Sequence, residues 1–249
     1  GRGGGGGGRG RGGPPSDRTY DDLRRERDRQ LDEIVRLLEQ AKAYASAGPD
    51  KTVDWVLEAL VPVVERRLPL ITAASREQDI RDAVAFADRA RINIVIAGGA
   101  EANYVASLLK EKNIPVILSE RLTMPSREDD FHASSYQLAG ELAKAGVKVA
   151  FSTGDNTNVR LLPYNAAMSV AWGMSRDDAL KALTVNAAEI LGVADRLGSL
   201  EPGKDANFFI AKGDPLEIRT EVTHVFIAGS DVGLANKHQA LYEKYINRK

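Results

Sequence analysis

Apolar positions along the chain follow two regimes. From Ser16 to about Gly48-Pro49, Leu23, Leu31, Ile34, Val35, Leu37 and Leu38 form one stripe amid dense charge, which predicts an amphipathic surface helix. A second helix is predicted over residues 53–67 from Trp55, Val56, Leu60, Val63 and Val64, with Pro62 an awkward interior residue. Beyond Leu68, short continuous apolar runs alternate with helical segments. Residues 70–73 precede a helix at 75–90, residues 92–97 one at 101–111, and residues 114–118 one at 134–145. Residues 147–151 lead into a polar loop, 152–162, and then into helices out to Leu191. Strands apolar on both faces and separated by helices predict an α/β fold, a parallel sheet with helices outside. Four such units are half of a (β/α)8 barrel or an open doubly wound sheet, and periodicity leaves both open.

The end of the chain is patterned more sharply. Ser175 is a good helix N-cap, with Asp177 and Asp178 in the first turn where the dipole favours negative charge. Ala179, Leu180, Leu183, Ala187 and Ile190 then share one helical face, and Gly192 is a left-handed stop. Gly198, Pro202 and Gly203 predict tight turns before a short apolar strand at 206–211. Residues 222–229 read as returning strand, and residues 236–249 as a terminal helix.

This order, with RLGSLEPGKDANFFI followed by GDPLE, resembles the C-terminal end of the amidohydrolase superfamily, and within it the imidazolonepropionase-like proteins. There the last barrel helix leads into a small β-sandwich through a motif matched here by Gly198, Leu200, Gly203, Ala206, Asn207 and Phe208, with Asn207 where the family usually has Asp. The resemblance covers about residues 54–249. It implies the second half of a (β/α)8 TIM-type barrel plus the C-terminal part of a β-sandwich. The expected divisions are a Gly/Arg-rich disordered segment at 1–15, a helical segment at 16–67, the partial barrel at 68–197, and sandwich strands with a terminal helix at 198–249.

The resemblance also implies a chemistry: hydrolysis of non-peptide C–N bonds by zinc or another divalent metal at the C-terminal mouth of the barrel. A His-x-His pair on the first strand has no counterpart in this chain. At the fifth strand, PLITAASREQDI keeps the family register at Arg76, Asp79 and Ile80, which puts Ala73 and Ser75 at the imidazole positions. At the sixth, Gly98, Gly99, Ala100 and Glu101 stand where His-Gly-Thr-Glu is expected, so Gly98 replaces the third imidazole. The loop after the eighth strand offers Asp155, its only carboxylate, as the candidate base or metal ligand, with Gly154 the alternative at the aligned position. Thr153, Asn156, Asn158 and Arg160, with Glu101, are the candidate ligand-binding residues. No bound cofactor is expected for this chain alone. The two functional readings are a C–N hydrolase with an incomplete metal site and a catalytically degenerate subunit or ligand-binding module.

Composition narrows the partners. A formal net charge of -1 gives no global field for nucleic acid, and no apolar run reaches membrane-spanning length. Arg2, Arg9 and Arg11 give the first residues an RGG flavour, but without interleaved aromatic residues a linker is the better reading than RNA binding. Cys is absent, and His132, His224 and His238 are the whole imidazole inventory. His132, beside Asp129 and Asp130, lies outside the family's ligand positions and reads as a surface residue. Expected partners are a small-molecule substrate if the chain is active, and a second copy, the missing N-terminal half or an active homologue. A first residue of Gly instead of Met reads as a fragment or processed product, and localisation is not legible.

Overall fold

The computed structural model describes residues 19–48, 51–119, 122, 129–154 and 157–246. The Gly/Arg-rich segment, Asp155 and Asn156 lie outside the described residues. By contact density the chain divides into a unit up to Ala59 and a unit from Leu60 onward.

In the first unit, α1 (Tyr20–Ala45) begins at Thr19, whose hydroxyl accepts from the Asp22 N–H while the Asp22 carboxylate accepts from the Thr19 N–H. This reciprocal cap satisfies two otherwise orphaned donors and fixes the start. Leu38, Ala41 and Tyr44 are the buried members of its stripe. The Tyr44 hydroxyl donates to Glu58 Oε2 at 2.8 Å, and Lys51 Nζ lies 3.8 Å from the Tyr44 ring centre. A second helix, α2 (Trp55–Val64), starts later and stops earlier than its apolar pattern. The Asp54 carboxylate caps it by accepting from Val56 and Leu57.

The second unit is built on four parallel strands in the order β1 (Leu70–Ala74), β2 (Ile94–Gly98), β3 (Val116–Leu118) and β4 (Val149–Phe151). Between them run α3 (Glu77–Ala90), a 3-10 turn at Ala102–Val105 continuing as α4 (Ala106–Glu111), and α5 (Ser134–Ala145). Side chains alternate across the sheet. Ile94, Ile96, Val116, Leu118, Val149 and Phe151 share one face with Ala74 and are all buried. On the opposite face Val95 and Ala150 are buried with Ile190, and Ile117 and Ala187 pack against them. At the β1 edge of that same face Ile71 and Ala73 are exposed.

After β4 come a 3-10 turn (Val159–Leu161) and the helices α6 (Leu162–Ala171), α7 (Arg176–Leu183) and α8 (Val185–Ile190). The single helix expected from Ser175 through Ile190 is therefore two, broken at Thr184 (φ -128, ψ -91). Tertiary contact explains the break. Gly198 sits so close that a Cβ there would lie 3.1 Å from Val185 Cα and 3.2 Å from the Thr184 carbonyl oxygen. Asn186 Nδ2 also donates to the Val149 carbonyl, drawing α8 onto the sheet. Gly192 does adopt the left-handed stop, at φ +70.

Three antiparallel strands follow, β5 (Phe208–Ala211), β6 (Val222–Ile227) and β7 (Ser230–Asp231), and the chain closes with α9 (Lys237–Ile246). Phe208 and Phe226 face each other across β5 and β6 with ring centres 4.6 Å apart. Asn207, in place of the family's Asp, accepts from the Ala228 N–H at 2.8 Å, a bond an amide oxygen makes as well as a carboxylate does. An ion pair between Arg176 and Asp214 ties the start of α7 to the loop after β5.

Candidate functional site

All four strands of a parallel sheet end on the same side, and the loops leaving those ends collect the residues singled out from the sequence. Ala74 pairs with Gly98 in the β1–β2 register, so the mouth positions of these strands are adjacent. The Gly99 N–H donates to the Ala74 carbonyl, and the Glu101 N–H to the Ser75 carbonyl, both at 2.8 Å. Ser75, Gly98 and Glu101 are thereby brought together.

Gly98 has φ +109, a conformation that L side chains rarely adopt. A Cβ built on it would lie 2.7 Å from Ser75 Oγ and 3.2 Å from the Ala74 carbonyl oxygen. A side chain at 98 would therefore be strained and would displace the Ser75 hydroxyl.

Glu101 is buried, and its carboxylate accepts the Glu77 N–H at 2.9 Å. That donor belongs to the first turn of α3, where the macrodipole favours negative charge. The expected favourable N-terminal charge is real, but it serves the neighbouring helix. The continuous helix expected at 101–111 opens instead as the 3-10 turn.

Thr153, Asn158 and Arg160 follow β4, separated from β2 by β3 in the sheet. Thr153 is buried, Asn158 is half-buried and Arg160 is exposed at the surface. Ser152 Oγ accepts from the Gly154 N–H at 3.1 Å and shapes the turn. Asp155 and Asn156, the other two residues expected in this loop, fall outside the described residues. Further along the mouth, the Leu122 N–H donates to Oδ1 of the fully buried Asn165, pinning that loop residue to α6.

The three histidines are dispersed. His132 packs among aromatic rings, 4.3 Å from Phe131 and 5.8 Å from Trp172 between centres, with Tyr136 stacked on Trp172. His224 lies on β6 with Nδ1 3.2 Å from Thr223 Oγ1, and His238 is in the first turn of α9. Among the described residues no three His, Cys, Asp or Glu side chains converge as a metal site would require. Ala73, Ser75 and Gly98, where the resemblance implies imidazoles, carry a methyl group, a hydroxyl and a hydrogen. They do not fit a divalent cation that needs imidazole or carboxylate ligands.

Residues 28–232 match the profile described as the Amidohydrolase family, which is most of the chain. This chain belongs to the amidohydrolase family. Over 76 residues it is 40% identical to the imidazolonepropionase of Geobacillus kaustophilus, a match covering 29% of this chain and 18% of that protein. Over 95 residues it is 30% identical to the imidazolonepropionase of Solibacter usitatus, covering 36% of this chain and 23% of the relative. Among solved structures, an amidohydrolase from Thermotoga maritima superposes with a TM-score of 0.71 and 27% identity, over 87% of this chain and 61% of that one. The amidohydrolase therefore spans only part of each relative, about a fifth of the imidazolonepropionases and three-fifths of the Thermotoga chain. An imidazolonepropionase-like member with an α/β parallel sheet is what the sequence resemblance implied.

Proposed function

We propose that this amidohydrolase is a catalytically degenerate member whose strand mouth takes a small polar ligand without a metal. The four-stranded sheet is the second half of a (β/α)8 barrel in this reading, and the three-stranded sheet is part of a small β-sandwich. The observation that carries it is the left-handed backbone of Gly98 beside Ser75. Two positions that the family resemblance assigns to imidazoles lie so close that a Cβ at 98 would meet Ser75 Oγ, and the backbone at 98 is in a glycine conformation. An imidazole there would hold a strained backbone and would require Ser75 to move. Thr153, Asn158 and Arg160 would supply hydroxyl, amide and guanidinium contacts to the ligand, and pairing with an active homologue would supply any chemistry.

A second reading, hydrolysis of a non-peptide C–N bond, is favoured by the likeness to the imidazolonepropionases. It needs metal donors beyond those the described residues present, with Asp155 the first candidate. Metal analysis by plasma mass spectrometry separates the two, using untagged protein dialysed against zinc and then against buffer. The degenerate reading expects well under about 0.1 zinc per chain, and about one tightly held ion per chain would overturn it.

A further inference from the structure

The ends of the strands opposite the mouth carry a separate feature. A cleft of about 710 Å³ opens where β1 to β4 begin, lined by Pro69, Asn93, Pro115 and Lys148, which immediately precede those strands. Ile92, Val95, Leu109 and Ile190 contribute an apolar floor. Among the described residues its rim is basic, with six cationic side chains against the two carboxylates Asp88 and Glu189. Both carboxylates are already engaged, Asp88 by Lys112 at 2.8 Å and Glu189 by Lys148 at 2.6 Å. Arg67 is held by Glu65. Among the described residues Arg66, Arg91 and Lys110 face no carboxylate within ion-pair distance, and all three are exposed to the cleft.

We propose that this cleft is a binding site for a small polyanion carrying two or more phosphate groups. Several helices end here, and each C-terminus contributes about half a negative charge. That is less than the excess of full side-chain cations, so the cleft remains positive. The volume lies in the range of small-molecule sites. Planar guanidinium groups at 66 and 91 match phosphate oxygens with paired donors, and Lys110 adds a point charge. Asn93 and Asn113 bring amide groups to the same rim. Among the described residues no aromatic ring lines the cleft, so the phosphates and not a stacked base are what it recognises.

The backbone gives an independent reason to look at the two arginines. Arg66 and Arg91 occupy the left-handed region at φ 60 and 57, just after a helix, a place where glycine is the unstrained choice. The same chain uses glycine at comparable helix ends, Gly146 at φ 83 and Gly192 at φ 70. Keeping guanidinium groups at 66 and 91 sets backbone strain against a gain in side-chain function. Part of that function is local, since Arg66 Nε donates to the Arg91 carbonyl at 2.9 Å.

Because glycine suits the backbone at both positions, R66G/R91G removes the two charges for the loss of one exposed hydrogen bond, Arg66 Nε to the Arg91 carbonyl. The full chain is titrated with sodium tripolyphosphate by isothermal calorimetry at low salt, alongside R66G/R91G, K110Q and a distant control, R24Q/R25Q on α1. Saturable one-to-one binding is expected, weakened at least about tenfold in R66G/R91G and several-fold in K110Q. The control should bind as the parent does, and the melting temperature of R66G/R91G should not fall. No saturable heat with the parent chain up to about 1 mM probe would overturn the proposal. So would equal weakening in R24Q/R25Q, which would mean diffuse charge attraction, or full binding by R66G/R91G.

Discussion

Gly98 decides more about this chain than any charged residue. Its φ of +109 and the 2.7 Å approach of a would-be Cβ to Ser75 Oγ make even alanine a poor fit. Gly98→Ala is expected to cost about 2–3 kcal/mol, the sum of a strained backbone and a forced shift of Ser75. A urea melt of the variant checks this, and an unchanged midpoint would show that β1 and β2 can separate at the mouth. That result would also remove the main support for the degenerate reading. The family resemblance singled out Ala73, Ser75 and Gly98 from the sequence as positions where imidazoles are expected. It could not show how near 75 and 98 lie, because that depends on the β1–β2 pairing. Glu101 was legible as an N-terminal charge, yet its acceptor role toward Glu77 crosses between elements and has no local signature.

At the scale of elements, pattern and structure agree where the determinant is local. The Ser134–Ala145 helix, the Ser175 cap accepting from the Asp178 N–H and the glycine stop at 192 all follow from adjacent residues. They part where a distant segment intervenes, as at Thr184, whose break depends on Gly198. The turn from Gly198 to Gly203 is itself held by short polar contacts. Ser199 Oγ donates to Glu201 Oε1 at 2.7 Å, and Lys204 Nζ donates to Ser199 Oγ at 2.6 Å. The Ser199 hydrogen bond, then the Lys204 charge, holds the Glu201 carboxyl below its ordinary 4.5. A lowered carboxyl pKa means the stabilisation is complete above the ordinary value and is lost as pH falls through the lowered one. The turn is therefore expected to loosen only below about pH 4.5, read as faster amide exchange at Ser199, Leu200 and Lys204. In Glu201→Gln this acid step should vanish; its persistence would assign the loosening to another group.

For the molecule as a whole, near-neutrality conceals segregation. A formal net charge of -1 coexists with a strongly basic cleft at the strand starts. The cleft is invisible in sequence because its cations are spread over four helix–strand joints, with Arg66 and Arg91 25 residues apart. The same logic applies to the sheet edge. Among the described strands β1 has one neighbour, so its outer backbone groups are unpaired, and Ile71 on it is 52% exposed. An unpaired edge with an exposed β-branched side chain is a template for another strand. The chain in isolation is therefore expected to self-associate as its concentration rises toward about 100 μM, followed by sedimentation velocity. Ile71→Lys places a charge on that edge, where association would bury it unpaired, while the folded unit leaves it in water. The variant should thus remain monomeric at the same concentration with its melting temperature unchanged. A parent chain that stays monomeric, or a lysine variant that associates equally well, would locate the cohesive surface away from β1. The exposed Phe209 and Ile210 of the three-stranded sheet would then be the next place to introduce a charge.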